Sequence, residues 1–305
     1  MTKVIECIAN FSEGRNVAIV GEIARAIASS GSDVLDVSSD ADHHRTVITF
    51  SGDENTIAEG TVRGIQKAAE LIDLTGHRGQ HPRIGATDVV PFVPLRHATM
   101  EDCVKVSHVV GERVGNELGL PVYLYEFAAT RPERRNLADV RRGEYEALRE
   151  KITQDQWKPD YGPASVGTAG AVAIGARKPL LAFNVYLDTT DVNIAKAIAK
   201  SIRESSGGLP YVKALGLFVN GRAQVSMNLV NFQVTGLFPV VEAIRQQAEA
   251  HGVKIERSEV VGLLPQQAVQ DALMDYLKLP REVGGWTIEQ RLGRASGNYA
   301  PIQFE

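Results

Sequence analysis

Apolar residues in this chain fall into short runs and helical stripes, and the order of those elements is written twice. Residues 4–11 make an apolar run of strand length, and residues 12–16 then supply turn and N-cap chemistry. A stripe at Val20, Ile23 and Ile27 predicts a helix that ends at Gly31-Ser32. Residues 33–37 and 45–51 read as strands, the second alternating Thr46, Ile48 and Phe50 against Val47 and Thr49. A long helix carries Ile57, Thr61, Ile65, Ala68 and Ile72 on one face, and a strand follows at 89–95. A helix over 100–118 and a strand at 122–125 extend this unit. Residues 130–143 read as basic and irregular, most simply a solvated surface, with a recruiting field for an anionic substrate as the sharper alternative. Residues 159–170 are rich in Gly, Ala and Pro, have neither period, and read as a loop or a linker.

The pattern then restarts. A strand at 180–187 precedes a helix marked by Ile194, Ile198 and Ile202. Strands at 212–219 and 223–232 flank Asn220-Gly221, a hairpin signal. Val241, Ile244 and Ala248 mark a helix, residues 253–264 contain a strand, and a closing helix presents Val269, Leu273 and Tyr276. Each half reads βαββαβ, so the expected fold class is α+β, two tandem ferredoxin-like subdomains spanning 1–178 and 179–305. A Rossmann fold would alternate strand and helix singly, and no GxGxxG follows a strand.

Comparing the halves isolates one stretch. In the second, helix and strand are joined at about His251-Gly252, whereas the first inserts Gly76-His77-Arg78-Gly79-Gln80-His81-Pro82-Arg83-Ile84-Gly85-Ala86-Thr87-Asp88. Such connections usually take about 2–6 residues, so the fold does not need this insertion. His77 and His81 have the spacing of a helical metal pair, but Gly79 and Pro82 break the helix it requires, and no metal site is expected. Two roles remain open for His81: a structural hydrogen bond in a turn, or proton transfer near neutral pH. Arg83 falls on the same side as His81 along an extended path, where it is expected to grip a substrate carboxylate. Asp36, Asp40 and Asp42 offer a carboxylate at a strand end. Cys7 reads as core, and His43-His44 as solvated loop, with a role supporting a neighbouring site as the alternative.

Composition narrows the classes. The 305 residues carry a formal net charge of −4, which gives no support for nucleic acid or an anionic membrane as partner. No apolar run approaches the roughly 20 residues of a membrane span. Glu6 lies where a signal peptide needs an apolar core, and two cysteines make no disulfide framework. The expectation is a soluble cytoplasmic protein.

Several strings taken in order carry a resemblance: Cys7-Ile8-Ala9-Asn10-Phe11-Ser12-Glu13-Gly14, Arg45-Thr46-Val47, His81-Pro82-Arg83-Ile84-Gly85-Ala86-Thr87-Asp88, Pro121-Val122-Tyr123-Leu124-Tyr125, Gly143-Glu144-Tyr145-Glu146-Ala147-Leu148 and Gly175-Ala176-Arg177-Lys178. Together with Val225-Ser226-Met227-Asn228-Leu229 and Val261-Gly262-Leu263-Leu264-Pro265, they make nearly the whole chain resemble the formiminotransferase family. That resemblance implies transfer of a formimino group from N-formimino-L-glutamate to N5 of tetrahydrofolate, yielding L-glutamate, in histidine breakdown and one-carbon metabolism. It implies tetrahydrofolate as co-substrate, no metal, folate held between the subdomains, and a homodimer. The family's catalytic histidine falls on His81. Its folate loop falls on Gly162-Pro163-Ala164-Ser165-Val166-Gly167-Thr168-Ala169-Gly170-Ala171, which is smaller and richer in glycine here than in the animal pattern. Asn10, Asp36, Arg45 and Arg83 are the expected substrate-binding residues. The animal enzymes continue into a cyclodeaminase, an activity not expected of this chain. The alternatives are a glutamate formyltransferase on the same scaffold and a folate-binding protein without catalysis.

Overall fold

The computed structural model of the chain describes residues 2–79, 81–279 and 288. It folds as two compact units, one ending at Lys178 and the other beginning at Pro179. The rest of the expected second subdomain, residues 280–287 and 289–305, lies outside the described residues.

The first unit begins β1 (Ile5–Phe11), α1 (Val17–Ala28), β2 (Asp33–Asp40), β3 (Arg45–Gly52), α2 (Glu54–Leu71) and β4 (Thr87–Pro94). Helix starts follow from local chemistry. The side chains of Asn16 and Asp53 accept from the first free N–H groups of α1 and α2. Thr99 and Asp102 form a reciprocal capping box at the start of α3 (Met100–Glu117). Strand β5 (Val122–Glu126) follows, then a turn of 3-10 helix, α4 (Leu137–Val140), α5 (Glu144–Lys151) and β6 (Val172–Ala176). The six strands lie in the order β2-β3-β1-β4-β6-β5. The first four form the antiparallel ferredoxin-like set, and β6 enters between β4 and β5, parallel to both.

Residues on alternate sides of these strands meet different partners. Ile5, Cys7, Ala9, Ile48, Phe50, Val90 and Phe92 pack with residues of α1, α2 and α3 in one core. On the other face Val89, Tyr123 and Ala173 pack with Val140, Leu148 and Ile152, which belong to α4, α5 and the residue after it. The second unit comprises β7 (Leu181–Leu187), α6 (Val192–Ile202), β8 (Val212–Val219), β9 (Arg222–Leu229), α7 (Leu237–Ala250), β10 (Ile255–Val261) and α8 (Gln266–Leu277). Its order, β10-β7-β9-β8, is the same four-stranded arrangement.

Three expectations change. The glycine-rich stretch is no linker out of the first unit, because it leads back into β6, which the sequence reading missed. Residues 130–143 are not simply a solvated surface: Arg134 is buried against Asp160 and lies 5.0 Å from the ring centre of Tyr123, while Arg141 pairs with Asp88. Arginine flanked by arginine looks like surface when its partner lies far off in sequence. In α8 the apolar line is reversed, since Ala268 and Met274 are buried while Leu273 and Tyr276 are exposed.

Among the described residues, no helix is long and apolar enough to cross a membrane. No group of three or more His, Cys, Asp or Glu side chains there is placed to hold a metal ion.

Candidate active site

The insertion occupies residues 72–86, between α2 and β4. The glycine-rich segment before β6 holds it at both ends. The Leu74 N–H donates to the Thr168 carbonyl (2.9 Å), and the Ala86 N–H to that of Ala169 (2.8 Å). The Ala171 N–H in turn donates to the Ile84 carbonyl (2.9 Å). Gly85 and Gly170 form a β-bridge at the crossing, and a Cβ on Gly85 would stand 1.9 Å from the Ala171 carbonyl oxygen. The close approach therefore requires glycine. Ser12 adds a third strap, its Oγ donating to the Gly85 carbonyl at 2.7 Å and its N–H to that of Ala86 at 2.8 Å. Residues 10–14, 81–88 and 162–171, flagged separately in the sequence, thus share one corner of the first unit.

Within the loop, His81 is largely buried, with its Nδ1 3.9 Å from the Asp88 Oδ2. Asp88 is buried too, and accepts the Ile84 N–H at 3.0 Å on Oδ1. Arg141 reaches both carboxylate oxygens of Asp88, with Nε 3.3 Å from Oδ1. Burial pushes the Asp88 carboxyl upward, while the Arg141 guanidinium and the Ile84 N–H oppose that and favour the carboxylate. Arg45 donates from Nη1 to the Asn10 Oδ1 at 3.3 Å, and Asn10 donates to the Ile8 carbonyl at 3.0 Å. Burial, with Arg141 nearby, lowers Arg45 to about 10. Burial first, then the charges of Arg45 and Arg141, press His81 far below the usual imidazole range. His81 is therefore neutral at physiological pH, beside two guanidiniums and one carboxylate.

Arg83 is placed differently from the carboxylate clamp expected of it. Its side chain is buried, and its guanidinium bonds Glu144 (2.7 Å) and Glu146 (2.7 Å) at the start of α5. Its Nε–H donates to the Nδ1 of His77 at 3.1 Å. An occupied Nδ1 fixes the other tautomer, so the His77 Nε2–H donates to the His44 carbonyl at 3.2 Å. The His44 ring stacks on that of His77, with centroids 4.3 Å apart, and its Nδ1 accepts the Gly14 N–H at 3.1 Å. Burial lowers both histidines, so both are neutral. His44, read as solvated loop, and His77, dismissed as a metal ligand, are structural members of a chain running from Gly14 to α5. That helix also holds the glycine-rich segment, through the Tyr145 hydroxyl on the Gly167 carbonyl (3.2 Å).

The remaining candidates separate cleanly. Residues 162–165, 167 and 168 are exposed, whereas Ala169, Gly170 and Ala171 are buried against the insertion. Asp36 stands on the edge strand β2, half-buried. Cys7 is buried and its thiol is pushed up by that burial, as suits a core residue. Sequence reasoning missed Asp88 and Arg141. Asp88 closes the quoted motif yet drew no role, and Arg141 sits 53 residues from it.

A corner that keeps an imidazole neutral among guanidiniums suits proton transfer on an anionic substrate. The family model "Formiminotransferase domain, N-terminal subdomain" matches residues 4–177, and "Formiminotransferase domain" matches residues 182–284. The chain is 49% identical to the glutamate formimidoyltransferase of Streptococcus pyogenes serotype M1, over 92% of its own length and 95% of the relative's. It is 46% identical to the glutamate formimidoyltransferase of Thermoplasma acidophilum, over 96% and 98% of the two chains. It is also 43% identical to the formimidoyltransferase-cyclodeaminase of Sus scrofa, over 90% of this chain and 53% of that one. With both halves matched by its two domain models, the chain belongs to the formiminotransferase family.

Proposed function

We propose that this protein transfers the formimino group of N-formimino-L-glutamate to N5 of tetrahydrofolate, with His81 as the proton carrier. The observation that carries this reading is the neutral, largely buried imidazole beside the Asp88–Arg141 pair, on a loop bonded to the glycine-rich segment. Formimino transfer is favoured over formyl transfer by the names of the relatives at 46–49% identity.

The N5 lone pair attacks the amidine carbon and a C–N bond forms. N5 becomes acidic as it does so, and His81 takes its proton. The resulting imidazolium then protonates the glutamate nitrogen as the old C–N bond breaks, so the imidazole returns to its starting state. Arg45 and Arg141 surround this step with positive charge. A substrate carboxylate drawn to them offsets that charge and raises His81 back towards the usual imidazole range, so the base strengthens once substrate is bound. The segment 162–171 is the folate-contacting element in this reading, and its exposed part, residues 162–165, 167 and 168, supplies small side chains and open backbone. Arg83, through His77, Glu144 and Glu146, positions the loop.

The test is His81→Ala assayed with both substrates. General acid–base catalysis is worth about 10²–10⁴-fold, and kcat is expected to fall by that factor while tetrahydrofolate binding persists. Wild-type turnover in the variant would remove His81 from the mechanism.

A further inference from the structure

We propose that Asp36 and Thr49 form an acceptor pair for an amidine-type N–H edge of a substrate, and that a β-bulge in β2 creates it. Along β2, Val34 lies opposite Phe50, while Asp36, two residues on, lies opposite the very next residue, Thr49. Leu35 is the extra residue, and it is exposed. Phe50 belongs to the core under the helices, so Thr49, its neighbour in β3, points to the opposite face of the sheet. Asp36, as the cross-strand partner of Thr49, shares that face. Without the bulge it would follow Val34 towards the apolar core. Asn10 is opposite Val47, which makes it a diagonal neighbour of Thr49 on the same face, and Asn10 holds Arg45. The acid therefore belongs to the same patch of sheet as the cationic side of the candidate active site.

The two acceptors are left without partners among the described residues. The Oδ2 of Asp36 and the Oγ1 of Thr49 are both closed off from solvent, and neither bonds to any described residue. Thr49 is 1% exposed, whereas Asp36 as a whole is half-buried. The neighbouring acids offer less: Asp40 accepts the His43 N–H at 2.8 Å, and Asp42 is exposed. A carboxylate beside a hydroxyl matches a ligand edge carrying two N–H donors. On the proposed reaction, which this inference rests on, two compounds have one. The formimino group is itself an amidine, and the pteridine ring of tetrahydrofolate presents its 2-amino group next to N3–H.

Calorimetric titration of the full chain with each compound separately tests the proposal, using wild-type, Asp36→Asn and Thr49→Val. Asp36→Asn is expected to weaken one compound at least tenfold, and Thr49→Val to weaken the same one about threefold. Neither variant should lower the Tm, and Thr49→Val should raise it, because a methyl replaces an unsatisfied hydroxyl. The compound affected assigns the edge: tetrahydrofolate for the pteridine, formiminoglutamate for the formimino group. Unchanged affinities, losses that only track a falling Tm, or a wild-type chain that binds neither compound would each overturn the proposal. A wild-type chain that binds both without turnover would count against His81 as proton carrier, and the acceptor pair would stand.

Discussion

The two units share a strand arrangement and differ at one junction. In the second, α7 reaches β10 through residues 251–254, whereas in the first α2 reaches β4 through residues 72–86. Both junctions serve the same step of the same topology, so the extra length in the first answers to something other than folding. Its bonding says what: it is clamped by the glycine-rich segment, by Ser12 and by the His44–His77–Arg83 chain, all of which hold His81 in place. The second junction is tied at its end, where the Lys254 N–H donates to the Asp188 Oδ1 (2.7 Å) and the Lys254 carbonyl accepts the Asp188 N–H (3.0 Å). A duplicated scaffold can keep one copy plain while the other is loaded with chemistry.

Substituting the glycine at each junction breaks the comparison most sharply. Gly85→Ala drives a Cβ into the Ala171 carbonyl and is expected to cost about 3 kcal/mol or more, with loss of transfer activity. Gly252→Ala meets open space, and its φ of +73° costs only about 1 kcal/mol. Denaturant titration of both variants measures the difference, and equal costs would mean that the two junctions are structurally alike. Arg83→Ala comes next. It strips His77, Glu144 and Glu146 of a shared donor, and the expected loss is about 2–3 kcal/mol, at the low end for a broken pair because both glutamates reach solvent. A substrate clamp would instead raise KM with stability unchanged, so the same measurement decides between the two roles.

The smallest effect is in the pH dependence. His44, His77 and His81 all lie below the usual value of about 6.5 in the folded chain, so the unfolded chain binds more protons as the pH falls through that value. Their contribution to stability is complete above about pH 6.5 and declines below it, by up to about 1.4 kcal/mol per pH unit for each histidine. The second unit holds only one histidine, His251, which is exposed. Urea titrations between pH 7.5 and 5.5 should show the loss, and His77→Asn should flatten it. A pH-independent midpoint would mean that these imidazoles do not resist protonation.

Much of the fold was legible because it lies in local pattern. Val20, Ile23 and Ile27 announce a helix, and Asn220-Gly221 a hairpin, without reference to the rest of the chain. Strand β6 was not legible: Val172–Ala176 is buried on both faces, so it lacks the alternation that marks a half-exposed strand. The site divides in the same way. His81 stands out through the company it keeps in sequence, and the glycine-rich segment through its composition. That the loop carrying His81 meets this segment depends on the Gly85–Gly170 bridge, and the pairing of Arg141 with Asp88 is equally non-local. Arg83 shows the converse error. Its nearness to His81 in sequence suggested the substrate, while α5, about 60 residues on, takes up its charge.

The insertion of β6 between β4 and β5 bears on how the chain is made. β1 to β4 can close their four-stranded sheet once residue 94 has been synthesised, since every neighbour they need precedes it. β5 has no place in that sheet until residues 172–176 arrive, because among the described residues β6 is the only strand it pairs with. At roughly 5–20 residues per second, the 78 residues from 94 to 172 take on the order of 4–16 s. Throughout that interval β4 has an open edge that only a later part of the same chain will cover. A pause in translation there would prolong the one period in which the nascent first unit offers its sheet to other chains.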